Sequence, residues 1–140
     1  MAIEVSHSLP AVRVIEVLER LRSERGLPDV IVTDNGTEFT SRAFDAWAYA
    51  RGVKIDFIQP GKPVQNCFVE SFNGTFRDDC LNLNWFTSLA AAKVQIESWR
   101  REYNTERPHS SLKRLTPAKF AELHQSGGLE SAPITNPAVR

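Results

Sequence analysis

The sequence predicts an α/β fold, and three observations carry that reading. Val30-Ile31-Val32-Thr33 is a short β-branched run closed by Asp34-Asn35-Gly36, the pattern of a strand followed by a turn. Val53, Ile55 and Phe57 alternate with Lys54, Asp56 and Ile58, which marks a second strand over 53–58. Between them Thr40 or Ser41 caps a helix over 42–51, with Phe44, Trp47 and Ala48 facing inward and Gly52 ending it. Two strands joined through a helix form a βαβ unit, whose strands run parallel with a right-handed crossover.

The other elements follow in order. Ala2 to Val5 reads as the end of a strand. Ser8 is placed to cap a helix with Pro10 in its first turn. Ala11, Val14, Ile15, Leu18 and Leu21 keep the helical period, and Gly26 stops it. Residues 59–65 are rich in breakers and read as a loop. A helix from about Asn66 to Leu81 then carries Phe68, Phe72 and Phe76 as an apolar stripe, with Asn66, Glu70, Asn73 and Arg77 on another side. Thr87 or Ser88 caps a long helix to about Asn104, whose buried stripe is Leu89, Ala92, Ile96, Trp99 and Tyr103. Arg107-Pro108-His109 ends it. Thr116-Pro117 opens a last short helix through about Leu123, and residues 124–140 show no period and read as a tail.

Composition narrows the function classes. At 140 residues one domain is expected, and 41% apolar with 24% charged residues is ordinary for a globular chain. No apolar stretch matches a membrane span or a signal peptide. Cys67 and Cys80 are 13 positions apart on one predicted helix, about 20 Å along its axis, too far to bridge and wrongly spaced for zinc. A reducing, cytoplasmic setting follows. Seventeen basic residues balance seventeen acidic ones, so the whole chain lacks the positive charge common in nucleic-acid binders. The balance is local, however. Between Lys93 and Lys119 seven basic residues (Lys93, Arg100, Arg101, Arg107, Lys113, Arg114, Lys119) face three acidic ones (Glu97, Glu102, Glu106), an excess of four. The plain alternative for that excess is a solvated helix face.

Two carboxylates stand out. Asp34 closes a strand and Glu70 lies on the polar side of a helix, a pairing that suits a hard divalent cation such as Mg²⁺, whose oxygen ligands are one or two carboxylates plus phosphates and waters. Each has a bland counterpart: Asp before Asn-Gly is a common turn former, and a helical Glu is usually just exposed.

The words around these residues resemble bacterial insertion-sequence transposases of the insertion-sequence-3 family. Asp34 and Glu70 have 35 residues between them, as do the second Asp and the Glu of the Asp, Asp-35-Glu integrase core. Four segments carry the likeness in order: residues 33–39, 65–74, 80–82 and 103–110. The resemblance covers residues 1–123 and implies a ribonuclease-H-like core with Asp34 and Glu70 as catalytic ligands of Mg²⁺ or Mn²⁺. It implies DNA as substrate, both element ends and target, with Lys62, Asn66, Asn73, Arg77, Arg107 and His109 on the DNA-binding side. His109 equally reads as a hydrogen-bonded residue locking the turn after the long helix. The family pattern also demands a first Asp well upstream. Only Asp29 precedes Asp34, and it starts the same strand. The expectation is therefore the C-terminal part of a transposase core, truncated at its N-terminus and inactive alone. It would self-associate or join intact transposase subunits in a bacterial, nucleoid-associated setting. The alternative is a non-catalytic remnant that binds DNA or a transposase subunit.

Overall fold

A computed structural model describes residues 1–59 and 67–126, with the backbone alone at Phe68. Its elements are α1 (Ala11–Arg25), β1 (Val30–Thr33), α2 (Arg42–Arg51), β2 (Lys54–Phe57), α3 (Cys67–Phe76) continued by a π-helical turn over Arg77–Leu81, α4 (Leu89–Thr105), a 3₁₀ turn (Ser110–Leu112) and α5 (Pro117–Gln125). They fall into two compact units, Glu4–Leu89 and the chain from Ala90 together with Met1–Ile3.

The first unit is built on the βαβ motif. β1 and β2 pair in parallel, Val30 beside Lys54 and Thr33 beside Phe57. The Lys54 N–H donates to Asp29 O and the Ile58 N–H to Thr33 O, so β1 meets β2 through its odd-numbered residues. In a parallel ladder the backbone groups of Val30 and Val32 then point to the opposite edge. Ile31 and Ile55 face the core, where Phe44, Trp47, Ala48 and Val53 are buried and Val14, Ile15, Leu18, Leu27 and Phe39 pack around them. Phe44 stacks on Trp47 with centroids 5.7 Å apart and takes the edge of Phe39 at 5.5 Å. The buried indole is satisfied: Trp47 Nε1–H donates to Glu19 at 2.7 Å. Arg22 and Arg51 also donate to Glu19, and these bonds, the indole's first, hold its carboxyl below the usual range.

Several expectations are corrected at element ends. Residues 2–5 form no strand; Glu4 instead pairs with Arg13 at 2.7 Å and Arg20 at 3.6 Å. Ser8 does not cap α1. Pro10 is the N-cap residue and no side chain caps the helix, because Ser8 lies two residues outside the turn it would have to reach. β2 is shorter than 53–58; it runs Lys54–Phe57, with Val53 buried in the core and Ile58 adding one last bond to Thr33 O beyond the strand's end. Ser41 does cap α2, accepting from the Phe44 N–H, and Gly52 ends it with φ +68°. Glycine suits that left-handed position because it has no Cβ to clash. The helix to Leu81 is α-helical only to Phe76. The Asn82 N–H reaches back five residues to Arg77 O at 2.8 Å, and the wider turn brings Cys80 inward to 1% exposure.

In the second unit, α4 buries Ala92 and Ile96 as the period requires. Thr116 caps α5, accepting from the Lys119 N–H, with Pro117 in its first turn. α5 runs two residues beyond the expected end, to Gln125. The tail from 127 lies outside the described residues.

Candidate metal and DNA site

Asp34 sits where β1 ends, on the rim formed by the C-terminal ends of two parallel strands. That rim is where open α/β sheets place ligands. Asn35 ties it together, its side-chain amide donating to Ile58 O at 3.4 Å. The Gly36 N–H donates to Asp34 Oδ1 at 3.0 Å. The turn-forming role of Asp34 is therefore real but uses one oxygen; among the described residues Oδ2 takes no hydrogen bond or ion pair.

Glu70 lies in the first turn of the described part of α3, where a negative charge also suits the helix dipole. Glu70, Asn73 and Arg77 are all exposed, spaced so that they share one face, while Phe72 and Phe76 are half-buried on another. The two rings stack nearly parallel with centroids 6.1 Å apart. The predicted two-sided helix is thus present, and Arg77 keeps the helical phase because the π-helical turn begins with it. Lys62 and Asn66 lie outside the described residues. Asp34 and Glu70 belong to the same compact unit. Among the described residues no three His, Cys, Asp or Glu side chains gather into a metal-binding group. A hard cation needs no more than one or two carboxylates, with phosphate and water filling the rest of its sphere.

Arg107 and His109 belong to the second unit and are brought together around Tyr103. The His109 ring meets Tyr103 edge-on at 4.7 Å, and the Arg107 guanidinium lies over the same ring at 5.8 Å. The cleft beside them, about 330 Å³, is lined by Trp99, Glu102, Tyr103, Glu106 and Arg107. The main chain at His109 closes the turn: its N–H donates to Leu115 O at 3.0 Å, and its carbonyl accepts from the Leu112 and Arg114 N–H groups. Burial lowers its pKa, with Arg107 adding to the effect, and Nε2 is enclosed without a partner among the described residues. His109 is half-buried, and its ring packs against Tyr103 rather than standing free. The charge excess after Lys93 is also partly spent inside the protein. Arg100 and Arg101 pair with Glu97, and Lys119 with Glu122.

Comparison with known proteins bears on the family and the fold. Two family models, each described as an integrase core domain, match residues 51–117 and 1–63. The chain belongs to the integrase core family. It is 52% identical over 124 residues to a 31.7 kDa protein of insertion element IS407 from Burkholderia multivorans, and 47% identical over 137 residues to a 39.2 kDa protein of insertion element IS476 from Xanthomonas euvesicatoria. It is 28% identical over 91 residues to the putative transposase InsK of insertion sequence element IS150 from Escherichia coli. Against the first two it spans 45% and 40% of their length. The crystal structure of the bovine immunodeficiency virus (BIV) integrase catalytic core superposes with a TM-score of 0.63 at 19% identity, over 90% of this chain and 80% of that one. A chain in the cryo-electron-microscopy structure of the simian T-cell lymphotropic virus intasome in complex with PP2A regulatory subunit B56 gamma gives 0.62 at 21% identity, over 96% of this chain and 47% of that one. The integrase core fold of this chain is thus ribonuclease-H-like α/β, as expected from its sequence. Among the described residues no helix is long and apolar enough to cross a membrane.

Two features escaped the sequence. Glu19 joins α1 to α2 through Trp47 and Arg51, and nothing but its helical phase signals that. Lys113 and Arg114 both adopt positive φ, although neither is Gly, Asn or Asp.

Proposed function

We propose that this chain is part of the catalytic core of an insertion-element transposase, acting on DNA by metal-dependent phosphoryl transfer. The observation that carries the reading is Asp34: an exposed carboxylate at the C-terminal end of a parallel strand, one oxygen committed to its turn and the other available. Asp34 and Glu70 would hold Mg²⁺ or Mn²⁺. Bound there, such ions activate a water or 3′-hydroxyl and stabilise the leaving oxygen. The turn at Gly36 fixes Asp34, and the helix fixes Glu70, so neither must be ordered on binding. Asn73 and Arg77, on the face of Glu70, would hold the DNA backbone, Arg77 through charge-assisted bonds to phosphate. Lys62, Asn66, Arg107 and His109 belong to the family's DNA side; for the last two, packing against Tyr103 favours a supporting role in the turn.

A second reading has its own observation. With no three-membered ligand group among the described residues, the chain alone would bind DNA or transposase subunits without cutting. Titration of Mn²⁺ by electron paramagnetic resonance tests the metal site: one site is expected, lost in Asp34→Asn and weakened in Glu70→Gln. Equal binding by both variants contradicts it. Metal-dependent nicking of plasmid then separates the two readings, since only the catalytic one predicts cleavage.

A further inference from the structure

The run from Arg107 to Ala121 contains four basic residues and no acidic one. Two of the four, Lys113 and Arg114, sit at the tip of the turn that links α4 to α5. His109 and Leu115 pair across its base, and the N–H groups of Leu112, Lys113 and Arg114 bond back to His109 and Ser110. Closing so few residues on themselves drives Lys113 to φ +56° and Arg114 to φ +62°. Every other positive φ among the described residues belongs to a glycine. A Cβ-bearing residue is strained in the left-handed region, and glycine is not. Both side chains are also exposed and, among the described residues, neither makes an ion pair. By contrast Arg13, Arg20, Arg22, Arg51, Arg100, Arg101 and Lys119 each pair with a glutamate. Neither the strain nor the charge is compensated among the described residues.

We infer that Lys113 and Arg114 form a clamp on the sugar-phosphate backbone of DNA, so that two cations stand where glycines would fold better. The inference deepens the DNA-acting reading above and rests on it. Strained, over-determined backbone concentrates at ligand clamps, and adjacent cations on a rigid turn meet successive phosphates at little entropic cost. Backbone contact is not sequence-specific, so the clamp adds affinity and register rather than base selection.

The test is binding of a short mixed-sequence duplex by the full chain across a salt series, with the Lys113→Gly/Arg114→Gly double variant beside it. Glycine keeps the left-handed turn, so the variant should melt no lower than the parent. The slope of log affinity against log salt should become shallower by about 1.8, at ~0.9 for each phosphate no longer neutralised. If the parent binds DNA and the variant has the same slope and affinity, the clamp is wrong and the DNA-acting reading survives. If the parent binds no duplex even at low salt, both fall.

Discussion

At the scale of single residues, two side chains carry separable pH dependences. Burial, seconded by the Arg107 charge, holds the His109 imidazole's pKa below its ordinary 6.5. The unfolded chain takes up a proton that the native state refuses, so stability is full above 6.5 and falls as pH drops through the folded value. Glu97 behaves alike in a lower window. The hydrogen bond from Arg100, seconded by Arg101, holds its carboxyl at about 2 against an ordinary 4.5. Its contribution is present above 4.5 and lost as pH falls toward 2. Because the Glu97 side chain is 42% exposed, each pair is worth only ~0.3–0.5 kcal/mol. Denaturant unfolding across acid pH should show two steps, the upper removed by His109→Gln and the lower by Glu97→Gln. A flat profile from about pH 7 to about pH 5 would contradict the lowered pKa of His109. Asp34 shows what residue-level reading can reach. Its turn-forming and ligand readings looked exclusive in sequence, yet the Gly36 N–H occupies one oxygen only. Lys113 and Arg114 show the limit: the sequence flags left-handed residues by Gly or Asn, and here the turn's closure imposes the conformation on cations.

At the scale of elements, capping was legible where the chain obeyed local rules. Ser41 caps α2 through the Phe44 N–H at 3.2 Å, and Ser41→Ala should cost about 1 kcal/mol in denaturant unfolding. No measurable loss would mean the cap bond is spent on something else. Phe44, with 0% exposure, should cost about 3–5 kcal/mol as Phe44→Ala. Ser8 misled because Pro10 takes the cap position itself, and residues 2–5 misled because their apolar character is not backed by a partner strand. The π-helical turn after α3 was not legible: α and π periods differ by too little over five residues, and it shows only in the Asn82-to-Arg77 bond and the burial of Cys80. The breaker-rich loop with Lys62 and Asn66 lies outside the described residues, so its part in the site rests on sequence alone.

At the scale of the molecule, the βαβ unit and the helical stripes were readable, whereas the division into two units was not. Periodicity shows that α4 has a buried face at Ala92 and Ile96; it does not show which element covers it. The described sheet has two strands. Parallel strands are normally covered on both faces, yet Val30 and Val32 are 42% and 54% exposed and their backbone groups point to the outer edge. No charge or proline blunts that edge, and covering the valines returns about 25 cal/mol per Å². Sedimentation at micromolar concentration should therefore reveal self-association, and Val32→Lys should abolish it; a monomeric parent would contradict the open edge.

The central claim is that Asp34 and Glu70 hold one metal centre. Paramagnetic broadening by Mn²⁺ in a heteronuclear amide spectrum tests it most directly, because it reports distance from the ion along the whole backbone. The account predicts that one equivalent of Mn²⁺ erases the amides of residues 34–36 and those around Glu70 together, and that Asp34→Asn restores both sets. Broadening at only one of them, or at neither, would contradict it.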